Sequence, residues 1–153
     1  PIWDSKARGV FFGLSYEKTR AHMIRAVMEG VGFALLHNLK TAEEAGAYVK
    51  DLNSVGGAAN SRIWTQIKAD ITNKSINVPG ADYATTLGAA ILAGVGTGIY
   101  GSFDEAVKTT VQIRRVHSPA PDNHRIYMGY YQLYRELYEN LKDSFSKLYK
   151  LAK

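Results

Sequence analysis

Leu52-Asn53-Ser54-Val55-Gly56-Gly57-Ala58-Ala59-Asn60-Ser61 decides how this chain folds. A short strand around Leu52 to Val55 runs straight into Gly56 and Gly57. From Ser61 onward Ile63, Trp64, Ile67 and Ile71 recur at helical spacing, with Asn60 or Ser61 placed to cap the helix. The unit is therefore strand, glycine turn, helix. Two glycines let the backbone approach a ligand closely, and the start of a helix directs amide groups toward an anion. Phosphate or a nucleotide fits that geometry, and so does a plain tight turn.

Upstream, Arg8 to Ser15 is short, apolar and bounded by glycines, as expected of a buried strand. Ser15 can cap a long amphipathic helix from Glu17 to about Leu39, with Met23, Ile24, Val27, Met28, Val31 and Leu35 as its apolar stripe. Thr41 with Glu44 forms a capping-box pattern, predicting a second short helix, or a kinked end of the first, up to Gly46. Downstream, Ser75 to Val78 reads as a strand closed by Pro79-Gly80. Thr85 to about Tyr100 is rich in alanine and glycine, suiting a helix that packs close to a sheet. Ser102 with Glu105 opens a short helix through about Thr110, and Pro119 and Pro121 mark a break. Beyond it Tyr127, Tyr131, Tyr134, Tyr138, Leu141, Phe145 and Leu148 form the packing stripe of a final helix.

Strands alternating with helices predict an α/β fold with a mostly parallel sheet, packed helices and a long C-terminal helix. Three strands make a small sheet with open edges, which invite pairing with a second copy as a homodimer. The small sheet and the opening Pro1 are what a fragment of a larger protein would show.

The chain has 153 residues, 46% of them hydrophobic, enough for one domain with one core. It has no cysteine, which excludes disulfides and thiolate metal sites and points to a cytoplasmic setting. No apolar run approaches the roughly 20 residues that span a bilayer, so no membrane partner is expected. The net charge of +5 keeps anionic partners in view. However, Lys142, Lys147, Lys150 and Lys153 are spaced as a solvated helix face, and with no nucleic-acid motif beside them no nucleic acid is expected. Gly96-Thr97-Gly98-Ile99-Tyr100-Gly101 satisfies the dinucleotide glycine pattern but follows a helix where that pattern needs a strand. The P-loop and the GxSxG elbow are absent, and no carboxylate pair stands out as acid and base. His22, His37, His117 and His124 show no paired metal-ligand spacing, so no metal site is assigned, and His22 reads as structural.

Two further segments carry a resemblance. Gly9-Val10-Phe11-Phe12-Gly13-Leu14, then His22-Met23 and Ala26-Val27-Met28-Glu29, closely resembles the C-terminal signature of the FGGY carbohydrate kinases. Gly56-Gly57-Ala58-Ala59-Asn60-Ser61 is similar to that family's adenosine motif, and Thr86-Leu87-Gly88-Ala89-Ala90-Ile91-Leu92-Ala93-Gly94 to its second connecting motif, in matching order. The opening Pro1-Ile2-Trp3-Asp4 with Ala7-Arg8-Gly9 looks most like the pentulose-kinase branch.

The resemblance implies two actin-like, ribonuclease-H-like domains closing over ATP, magnesium and a small sugar. This chain, residues 1–153, corresponds to most of the second domain without its first strands. The phosphate motifs and the aspartate base belong upstream of it, so no residue here is catalytic and the chain alone completes no phosphotransfer. In the intact enzyme it would serve ATP-dependent phosphorylation of a sugar hydroxyl; the alternative is a non-catalytic ATP-binding module of the same fold. Carried over by position, Gly56 and Gly57 bring backbone to the nucleotide, Ala58 leaves room for it, Asn60 faces adenine, and Ser61 assists or caps. The family often has a third glycine where Ala58 stands here. Gly88, Ala89 and Ala90 are assigned to packing, keeping their helix near the nucleotide turn.

Overall fold

The computed structural model describes residues 2–80 and 84–152. Pro1 of the opening stretch and Lys153 of the basic series lie outside them. Along the chain come α1 (Arg20–Glu44), β1 (Asp51–Asn53), a 3₁₀ turn (Gly57–Asn60), α2 (Arg62–Thr72), β2 (Ser75–Pro79), α3 (Ala84–Gly96), α4 (Phe103–Thr110), β3 (Ile113–His117) and α5 (Pro121–Leu151).

β2 is the central strand of three. It runs parallel to β1, with Leu52 opposite Ile76, and antiparallel to β3, with Ile76 opposite His117 and Val78 opposite Arg115. The fold class stands, but the sheet is mixed. The third strand is β3, which the sequence reading missed, and the expected strand at 8–15 does not form. Residues 9–15 are exposed, and no described strand pairs with them. An apolar run becomes a strand only through a hydrogen-bonded neighbour.

The helix boundaries follow from their caps. Ser61 Oγ accepts from Trp64 N at 3.2 Å to start α2, and Asn73, at φ 53, ends it in the left-handed region. Ser102 Oγ accepts from Glu105 N at 3.2 Å, as the capping-box pattern predicts. α5 opens with Pro121 in its first turn, where a missing N–H costs nothing. Two expectations at α1 need correction. Its cap is Thr19, not Ser15: His22 Nδ1 accepts from the Thr19 backbone N–H at 3.1 Å. Of the two alternatives at Thr41 the second short helix does not form: α1 itself continues to Glu44, and the Thr41 hydroxyl donates back to the His37 carbonyl at 3.0 Å.

The core lies where three helices meet. Phe33 and Leu36 of α1, Ile67 and Ile71 of α2, and Tyr127 and Tyr131 of α5 are buried together. Each such side chain contributes about 1.5–3 kcal/mol of burial. Phe33 meets Tyr127 edge-on at 6.0 Å and Tyr134 at 5.6 Å, so the aromatic stripe of α5 is indeed core packing. α1, however, buries a different face from the one its periodicity suggested. Gly32, Phe33, Leu36 and Leu39 are inside, whereas Met23, Ile24, Val27 and Val31 are exposed. Apolar residues occupy both sides of this helix, so spacing alone does not choose between them. Ile63, placed on the buried face of α2, is likewise exposed.

Candidate nucleotide site

β1 ends at Asn53, and Ser54 N extends the ladder by donating to Asn77 O at 2.8 Å. The chain then turns at Gly56, whose φ of 81 and ψ of −176 define a region essentially restricted to glycine. Ala59 N donates to Gly56 O at 3.0 Å and Ser61 N to Ala58 O at 3.3 Å, closing the 3₁₀ turn before α2 begins. A Cβ added at Gly56 or Gly57 would meet nothing within 4 Å, so the outer face of the turn is open. Gly56, Gly57 and Asn60 are exposed, Ala58 is half-buried and Ala59 is buried. The turn thus gathers all five candidate residues at the end of a parallel strand, with bare backbone outward and Asn60 beside it. Ser61 acts as the cap of α2.

Beneath the turn lies a polar network. The Ala59 carbonyl accepts from Arg115 Nη2 at 2.5 Å and from Thr65 Oγ1 at 3.4 Å. Arg115 Nε donates to His117 Nε2 at 2.7 Å, and His117 Nδ1 lies 2.9 Å from Gln66 Oε1. Gln66 Nε2 donates to Asp70 Oδ1 at 2.8 Å. The buried Asp70 carboxylate also accepts from Ala120 N and from Asn123 Nδ2, both at 2.9 Å, at the start of α5. An arginine nitrogen can only donate. His117 Nε2 must therefore be the acceptor, leaving the ring neutral with its proton on Nδ1, directed at Gln66. Burial, then the nearby Arg115 and Arg62 guanidiniums, lower the His117 pKa, with Asp70 opposing. The sequence reading missed Gln66, Asp70, Arg115 and His117. Ile113 and Val116, β-branched residues flanking two arginines, signal only that Arg115 and His117 lie on a strand.

The other glycine-rich segments serve structure. Gly98 ends α3 at φ 79, with Ile99 N donating to Gly94 O at 2.8 Å and Gly98 N to Val95 O at 3.1 Å. This is a Schellman helix end, so the dinucleotide-like pattern is a cap. The close approach along α3 occurs at Gly94, where a Cβ would stand 2.8 Å from Tyr100 Cδ2. Gly88, assigned to packing, meets nothing within 4 Å.

A groove of about 950 Å³ between residues 2–10, α1 and α5 is lined by Asp4, Arg8, His37, Tyr134 and Tyr138 among others, and no residue of the turn lines it. Among the described residues no cluster of His, Asp or Glu could hold a metal ion, and no helix is long and apolar enough to cross a membrane.

A parallel strand that ends in a glycine turn and helix, backed by packed helices and a long C-terminal helix, agrees with the actin-like, ribonuclease-H-like ATPase fold that the resemblance implies, and the family match and solved relatives support it. Residues 1–97 match the C-terminal domain of the FGGY family of carbohydrate kinases, and the chain belongs to that family. A xylulose kinase of Staphylococcus epidermidis is 35% identical over 142 residues, covering 93% of this chain and 29% of the relative. A glycerol kinase of Haemophilus influenzae is also 35% identical, over 126 residues, covering 82% of this chain and 25% of the relative. The crystal structure of a ligand-bound xylulose kinase from Lactobacillus acidophilus superposes with a TM-score of 0.87 at 30% identity, covering 97% of this chain and 30% of that one. The chain therefore spans less than a third of the length of these relatives.

Proposed function

We propose that this chain forms the adenosine-binding side of the cleft in an ATP-dependent kinase that phosphorylates a sugar hydroxyl. The observation carrying this reading is Gly56: its glycine-only conformation, with open space over it and Gly57, lets a ligand reach bare backbone. Gly56 and Gly57 bring backbone to the nucleotide, Ala58 leaves room, Asn60 meets adenine, and Ser61 holds the helix start behind them. Magnesium has no ligand set among the described residues and would arrive on the nucleotide phosphates.

In the whole protein this domain holds ATP while closure aligns the γ-phosphate with the sugar hydroxyl and excludes water. The base and the sugar site are assigned to the part of the relatives that this chain does not span. A pentulose such as xylulose is the proposed substrate, on the likeness to xylulose kinases, in a cytoplasmic xylose pathway.

Calorimetric titration with magnesium and ADP, comparing wild type with Asn60→Ala, tests the site. Saturable binding that the variant weakens supports it. Binding that Asn60→Ala leaves untouched would remove Asn60 from the site, and no binding at all would count against a nucleotide site in this chain.

A further inference from the structure

A 3₁₀ turn of four residues is weakly held by its own hydrogen bonds, whose geometry is poor. Its orientation must come from outside. Ala59 is 3% exposed, and its carbonyl is the acceptor for Arg115 Nη2 at 2.5 Å. That oxygen belongs to the peptide unit joining Ala59 to Asn60. Because the peptide is planar, fixing the oxygen also fixes the Asn60 N–H and the position of the Asn60 Cα.

We propose that Arg115 is the positioning residue of the nucleotide turn: by holding the Ala59 carbonyl it sets the Ala59–Asn60 peptide plane and so aims Asn60 at the adenine. This inference rests on the nucleotide reading of the turn.

Arg115 is suited to the task because it is itself restrained. Its Nε donates to His117 Nε2 at 2.7 Å while Nη2 reaches Ala59, so two donors of one rigid plane are used in two directions. His117 is held by Gln66, and Gln66 by the buried Asp70, which also receives Ala120 N at 2.9 Å. Every bond in this series has a single consistent direction of donation. It ends at the start of α5, so the turn is referenced to the longest helix of the fold. A lysine at position 115 could offer one nitrogen but could not make both contacts in one plane.

The test uses Arg115→Ala and Arg115→Lys with two readouts: amide hydrogen exchange at Ala59 and Ser61 without ligand, and affinities for magnesium-ADP and magnesium-GDP. Losing a charged hydrogen bond should weaken ADP binding by about tenfold in Arg115→Ala, and in Arg115→Lys by less. Exchange at the turn should quicken in both, while the α1 and α2 core amides keep their protection. If the turn only needed general support, both nucleotides would lose affinity equally; a misaimed Asn60 shrinks the preference for ADP over GDP. Unchanged exchange at Ala59 and Ser61 in Arg115→Ala overturns the inference, whatever the nucleotide result. Wild-type chain that binds neither nucleotide, with exchange still quickened in the variants, overturns the nucleotide reading and with it the aiming of Asn60, and leaves Arg115 as the residue that orders the turn. Should Arg115→Ala fail to fold, Arg115→Lys, which keeps the charge, decides the same question.

Discussion

Gly32 of α1 faces Ile71 of α2 so closely that a Cβ on Gly32 would stand 2.6 Å from Ile71 Cδ1. Ile71 is fully buried, so moving its Cδ1 aside requires its neighbours to repack. This contact limits how near α2, the helix that follows the glycine turn, lies to α1. Replacing Gly32 with alanine gains about 1 kcal/mol of helix propensity but overpacks a core at a cost of about 1–3 kcal/mol. Gly32→Ala should therefore lower stability in urea unfolding. Gly30→Ala, on the same helix with nothing within 4 Å, should raise it. The same sign for both variants would show that the contact does not govern the helix packing.

Ser61 is read as a cap that leaves nucleotide contact to its neighbours. Ser61→Ala should cost about 1 kcal/mol of stability, and Ser61→Asp should retain most of it. ADP affinity should be nearly unchanged by Ser61→Ala under conditions where both proteins are fully folded. A several-fold loss of affinity there would give Ser61 a direct part in binding.

The two glycines of the turn should separate. Gly56→Ala forces a side chain into φ 81 and should cost about 1–3 kcal/mol by thermal or urea unfolding. Gly57→Ala has open space around it and no positive φ, so its stability should hold while the new methyl obstructs ADP. Equal destabilisation by both would contradict the described turn.

The pH dependence has a defined sign. His37 and His117 both have lowered pKa values, each chiefly through burial, with Arg135 adding at His37 and Arg115 and Arg62 at His117. The unfolded chain therefore binds more protons than the folded one as the pH falls into the ordinary imidazole range. Stability is complete above that range and declines as the pH falls from about 7.5 toward 5.5. Thermal midpoints across that window should fall for wild type and fall less for a His37→Gln, His117→Asn double variant. A flat wild-type profile would mean that the network does not require a neutral His117.

Much of this fold was legible because its signals are local. Ser61 and Ser102 cap the helices they precede, Gly56 turns the chain just beyond β1, and of the α5 stripe Tyr127, Tyr131 and Phe145 are buried, Tyr134, Tyr138 and Leu141 half-buried and Leu148 exposed. What was not legible depends on partners distant in sequence. The Gly9 to Leu14 run has the composition of a strand and lacks a described neighbour, so composition misled. β3 is strand only because Ile76 and Val78 lie alongside it, and its arginines disguise it. The five residues of the turn could be named from their motif, but Arg115 lies 56 residues from Ala59, and nothing in its own neighbourhood marks it as part of the site.

The central claim is that the Gly56 to Ser61 turn receives a nucleotide. Amide chemical shifts of the isotope-labelled chain, followed as magnesium-ADP is added, test it most directly. Saturable shifts concentrated at Gly56, Gly57, Ala58 and Asn60 are expected, with smaller ones at Arg115. Saturable shifts confined instead to the groove at Arg8, His37 and Tyr138, with the turn silent, would contradict it.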